Sequence, residues 1–106
     1  MDMYDRQGNS ISVDEWGTLH SDINYKRIGW RDFEGSVSVS TVWLGIDHAM
    51  PWDDQPLIFE TMVFGGPYAD AQMRYATEQE AIDGHARTCS DIEAGRQPWF
   101  ENEEAG

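Results

Sequence analysis

The chain has 106 residues, 40% of them hydrophobic, with five Trp, four Tyr and four Phe. That is one domain's length with enough aromatic bulk for a core, which excludes a globally disordered polymer. Acids outnumber bases 20 to 7, for a formal net charge of −13, and such a field repels polyphosphate, so direct nucleic-acid binding is not expected.

An acidic domain suits a basic partner surface, and in the extreme a groove built for DNA; the plainer reading of the charge is solubility. No stretch approaches the roughly 18 consecutive apolar residues of a membrane span, so no membrane association is expected. The opening MDMYDRQGNS is polar and acidic, without a basic region followed by an apolar one, so no secretion signal is expected. Cys89 is the single cysteine, which excludes an internal disulfide and fits a reducing cytoplasm.

Met3 to Asp5 reads as a short strand, followed by a turn at Gln7-Gly8-Asn9. Ser12 to Glu15 has the form of a capping box, with Ile11 and Trp16 at the flanking staple positions. A short helix from Val13 to His20 follows, with Asp14 and Glu15 at its positive end. Gly17 weakens that helix, which must therefore lean on packing through Trp16 and Leu19. Asn24 to Phe33 reads as the first long strand, with Gly29 marking a bulge or a close backbone approach. Glu34-Gly35 offers a hairpin turn.

Ser36 to Ile46 is the clearest strand: Val37, Val39, Thr41 and Trp43 share one face, and Ser36, Ser38 and Ser40 the other. From Val42 onward both faces turn apolar, so the far end is expected to be covered. Leu57 to Phe64 is the next strand, with Leu57, Phe59, Thr61 and Val63 opposite Ile58, Glu60, Met62 and Phe64. Gly65-Gly66-Pro67 ends it, and Met73 to Tyr75 reads as a short edge strand. Thr77 to Glu80 is a second capping box, opening the main helix from Glu78 to Ala94. Ala81, Ile82, His85, Ala86, Cys89 and Ile92 recur there at helical spacing, which predicts one apolar face against the sheet. Gly84 predicts close helix–sheet contact, and Gly95 a C-terminal stop.

The expected fold is therefore a single α+β domain over 1–96. It comprises a three- to four-stranded antiparallel meander, one long C-terminal helix packed on one face and a short N-terminal helix. An acidic tail, 97–106, is expected to be mobile.

Two constellations bear on function. Asp47 and His48, at the exit of the central strand, could with Glu60 and His85 form a metal-binding or hydrolytic set. The plainer readings are an Asp that caps loop amides, a core histidine at His85 and a small buried hydrophobe at Cys89. No nucleophile elbow, phosphate loop, dinucleotide fingerprint or paired CxxC occurs, so neither catalysis nor a cofactor is expected. The stronger candidate is the loop carrying Met50, Trp52, Asp53 and Asp54, an aromatic anchor rimmed by acids, with Trp99 and Phe100 in the tail as a second such motif. Against both stands the reading that these aromatics fold back over the sheet.

The blocks YDRQGNSISVDEW, VSTVWLGIDH, PLIFETMVFGG and RYATEQEAIDGH, in that order, resemble a family of small uncharacterised proteins of actinobacterial bacteriophages and related prophage regions. The resemblance covers about residues 4 to 88 and assigns no activity, so no residue inherits a role from it. It implies a protein made in a bacterial cytoplasm during phage growth. His48 and His85 fall within the shared blocks, and Trp52 outside them. The expected function is a non-enzymatic accessory protein that binds a host or phage protein with a basic surface through its own acidic surface, with DNA mimicry or anti-defence action as a special case. A metal-dependent or hydrolytic enzyme and a virion or assembly component are the alternatives.

Overall fold

A two-stranded ribbon opens the chain, β1 (Met3–Tyr4) antiparallel to β2 (Ser10–Ile11). Helices α1 (Val13–His20) and α2 (Ile23–Lys26) follow, then strands β3 (Arg27–Phe33), β4 (Val37–Trp43), β5 (Phe59–Phe64) and β6 (Gln72–Tyr75), then helix α3 (Glu78–Glu93). The structure is a computed structural model and describes residues 2–98. Strands β3 to β6 form one antiparallel sheet in sequence order, a meander, as the alternating segments require.

Alternation along the central strands decides where the core lies. Val39, Thr41 and Trp43 of β4, and Phe59, Thr61 and Val63 of β5, are fully buried, and α3 lies over this side. Thr41 sits opposite Thr61 and Trp43 opposite Phe59. Burying each such large side chain stabilises the fold by roughly 1.5–3 kcal/mol. Trp43 anchors one end of the core. Its indole donates to the Tyr4 carbonyl at 3.0 Å and meets Tyr25 edge-on at 5.0 Å, which draws in the N-terminal ribbon and α2. Trp16 adds a donation to the Leu44 carbonyl at 3.0 Å, so α1 covers the same end. Arg6 straps the ribbon to α3 by an ion pair with Glu78 at 2.7 Å.

Several boundaries differ from those expected. Ile23–Lys26 is a helical turn rather than the start of a strand, because the Asp22 carboxylate accepts from the Asn24 and Tyr25 amides and caps it. Ser36 belongs to the turn, at φ 61°, and β4 ends at Trp43; beyond it Ile46 leaves the ladder and bridges to Met3. Strand β2 was not foreseen, and β5 begins at Phe59 rather than Leu57. The Thr77–Glu80 capping box is complete. At α1 the Ser12 hydroxyl accepts from the Glu15 amide, but the Glu15 carboxylate returns to that hydroxyl rather than to the backbone.

The buried face of α3 is Ala81, Gly84, Thr88, Cys89 and Asp91, while Ile82 is 45% exposed and Ala86 is exposed, against expectation. The helix comes closest to the sheet where its side chains are smallest. Tyr75 points its phenol at Gly84, where any Cβ would collide with the phenol oxygen and ring. His85 likewise lies on Gly29, whose Cβ would come within 2.7 Å of the imidazole. The β3–β4 register shifts between Arg27 and Gly29, so bulge and close approach coincide. Ala81, Cys89 and Ile92 face the sheet as expected, and small residues, Gly84 among them, complete the docking stripe.

Gly17 in α1 has nothing within 4 Å of a virtual Cβ, whereas Gly84 has the Tyr75 ring. Gly17→Ala should then stabilise the protein by about 0.4–1 kcal/mol, through helix propensity and a less flexible unfolded chain. Gly84→Ala should destabilise it by about 1–3 kcal/mol, the cost of overpacking. Urea denaturation of both variants beside wild type checks the opposite signs.

Candidate functional site

The connection from β4 to β5 is where the exposed aromatic and the acids meet. Its stems are paired: the Leu44 amide donates to the Ile58 carbonyl at 2.7 Å, and the His48 amide to the Leu57 carbonyl at 3.0 Å. The Asp47 carboxylate accepts from the Ala49 amide at 2.7 Å and the Leu57 amide at 3.1 Å, clamping the two stems together. Asp53 closes the tip reciprocally, its side chain accepting from the Met50 amide at 2.7 Å and its own amide donating to the Met50 carbonyl at 2.9 Å. Pro51 supplies the fixed φ that such a turn favours at its second position. The loop is therefore braced by its own acids, and the side chain it holds out is Trp52.

Trp52 is 74% exposed, more than any other large hydrophobic side chain among the described residues, and Met50 is 50% exposed. The indole does not fold back over the sheet. Asp54 is exposed beside it. Trp99 and Phe100, the other motif expected to bind, lie outside the described residues.

The four residues of the alternative catalytic set do not gather into one site. Asp47 caps the loop, and His48 is exposed. Glu60 lies on the sheet face away from α3, in an ion pair with Arg74 at 3.1 Å, while His85 lies under α3 on the opposite face. Neighbouring residues on a strand point to opposite faces, so Glu60 cannot share a site with the side that carries Thr61 and His85. Among the described residues no three His, Cys, Asp or Glu side chains gather as a metal site, and no helix is long and apolar enough to cross a membrane.

His85 instead ends a buried chain of hydrogen bonds. The Tyr75 phenol donates to Thr61 Oγ1 at 3.0 Å, Thr61 and Thr41 Oγ1 atoms lie 2.6 Å apart, and Thr41 Oγ1 is 2.7 Å from His85 Nδ1. The direction that gives every hydrogen an acceptor runs Tyr75 to Thr61 to Thr41 to Nδ1. That leaves the proton of the neutral imidazole on Nε2, which faces Cys89 Sγ at 3.6 Å. Burial, with the nearby Arg31 charge, holds the His85 pKa below its ordinary value, and burial pushes both Tyr75 and Cys89 up. All three are thereby kept in their neutral forms, and Cys89 is biased away from thiolate, the reverse of an activated nucleophile. Sequence reading missed this chain, although two threonines on an otherwise apolar strand face were its visible sign.

No protein-family model matches the chain, and the comparisons with curated proteins and with solved structures found no match either.

Because His85 is harder to protonate folded than unfolded, the unfolded chain takes up a proton as pH falls below the ordinary value of 6.5. The stability this group contributes is then present above that value and is lost as pH falls through the folded pKa. His20 is shifted in the same direction, by burial and then by Lys26, so it adds to the slope. Denaturation midpoints should drop between neutral and mildly acidic pH, and a His20→Gln background should retain the part due to His85.

Proposed function

We propose that this is a non-enzymatic acidic accessory protein that binds a basic protein surface through the β4–β5 loop, with Trp52 as the anchor. The observation that carries the reading is the 74% exposed indole on a turn closed by Asp53 and clamped by Asp47. Holding an aromatic in water on a pre-formed turn lowers the ordering cost of binding, and buried Trp anchors contribute a disproportionate share of interface energy. Asp54 beside it, and the net charge of −13, suit lysines or arginines at the rim.

Acids occur on α1, at the β3–β4 turn, in the loop and along α3, so the reading rests on the loop rather than on one continuous acidic face. DNA mimicry or anti-defence action would be a special case, in which the partner's basic surface is a nucleic-acid groove. The bacterial and phage setting rests on the four sequence blocks, and a cytoplasmic location follows from that setting.

Affinity capture from bacterial lysate at low and high salt, with wild type and Trp52→Ala in parallel, tests the proposal. A partner should be held at low salt, released at high salt, and bound at least tenfold more weakly by Trp52→Ala. The melting temperature should stay nearly unchanged, since the indole is mostly exposed. Empty wild-type beads, or equal retention by the variant, would refute it.

A further inference from the structure

We propose that the sheet face not covered by α3 is where two copies of this chain meet, β3 lying over β3 about a twofold axis that runs across the strands. The face is built around an aromatic pair: Trp30 and Phe64, 45% and 44% exposed, stack at 6.5 Å with their planes 24° apart. They lie opposite Ser40 and Ser38 on the strand between them, whose small side chains let the two rings lean together. Arg27 lies over the indole at 5.2 Å, and Asp32 accepts from the Trp30 Nε1 at 2.9 Å.

Charge names the occupant. The chain carries 20 acids against 7 bases, yet this face is balanced, with Arg27 and Arg74 against Asp32 and Glu60. Glu60 and Arg74 already pair with each other at 3.1 Å. What remains is Arg27 at one end of β3 and Asp32 at the other, on the same face. A twofold across the strands lays Arg27 over Asp32 of the second copy, twice, with the two Trp30 indoles between. A twofold along the strands would instead lay Arg27 over Arg74. Arg74 is already paired with Glu60, so that arrangement brings Arg27 no opposite charge, whereas the first gives one to both Arg27 and Asp32.

Two copies at −13 each repel, so they can approach only through a surface without net charge. Four strands about 4.8 Å apart and about six residues long give a projected face of about 400 Å². That is about half the roughly 800 Å² per partner of a standard interface, so the pair is weak and reversible. Salt should strengthen it, because the Debye length shrinks from about 8 Å at 0.15 M to about 3 Å at 1 M and removes the long-range repulsion. This is the opposite sign to the loop binding a basic partner. If that loop is the binding element, the pair displays two Trp52 anchors at opposite ends and binds bivalently.

Sedimentation velocity of the full chain, from about 1 to 300 µM at about 0.05 and 1 M salt, tests the pairing. The dimer fraction should rise with concentration and with salt, and Trp30→Ala and Arg27→Glu should each weaken association at least tenfold. Trp52→Ala should pair like wild type, which separates this test from that of the loop. Arg27 is exposed, so Arg27→Glu carries the result alone if Trp30→Ala does not fold. A monomer at every concentration and salt, or a dimer indifferent to both substitutions, would overturn the proposal. So would a labelled single-stranded RNA that binds wild type and is lost in Trp30→Ala, which would assign the face to nucleic acid.

Discussion

The helix is held on the sheet by a line of buried hydrogen bonds, and most of the architecture follows from satisfying it. Tyr75, Thr61, Thr41 and His85 place polar atoms in the middle of the core, where each would cost about 1–3 kcal/mol if left unpaired. Among the described residues none is unpaired. That balance needs close approach, which explains why glycine stands at both contact points, Gly84 beneath the phenol and Gly29 beneath the imidazole. The helix is consequently rotated so that small and polar residues face inward and Ile82 faces water. Specificity of docking here comes from polar geometry, while the affinity for the sheet comes from the flanking apolar clusters around Trp43 and Val39.

The same constraint separates chemistry from surface. His85, Cys89 and Tyr75, the first half-buried and the others buried, lie between α3 and the sheet and are held neutral. The exposed aromatic side chains lie elsewhere, Trp52 on the braced loop at one end of β4 and Trp30 and Phe64 on the sheet face away from α3. Acids serve both purposes. Asp47 and Asp53 shape the loop by accepting its amides, and only the remaining acids add to the field around it.

Much of the fold is legible along the chain because its signals are periodic. The alternation of Val37, Val39, Thr41 and Trp43, matched by Phe59, Thr61 and Val63, gives both central strands and their buried face. The Thr77–Glu80 box and Gly95 bracket α3 within a residue. The misreadings have local causes. Asp22 caps a helical turn whose residues, Ile23 to Lys26, have strand-like composition. On α3, Ile82 and Ala86 fit the apolar period, yet a phenol reaching Gly84 turns them outward, and no pattern along one element records what its neighbour donates. The candidate site divides the same way. Trp52 beside Asp53 and Asp54 is visible as an aromatic among acids in a loop, whereas its bracing and its exposure depend on which amides the carboxylates reach. Trp30 and Phe64 are far apart in sequence, and only the register brings their rings together.

The most direct measurement of the central constraint is nitrogen-15 NMR of the His85 imidazole across pH. A buried chain running from Tyr75 to Nδ1 requires the proton on Nε2, an accepting Nδ1, and titration below the ordinary value of 6.5. A proton on Nδ1, or titration at or above that value, would contradict the chain and with it the reason for the two glycines and the rotation of α3.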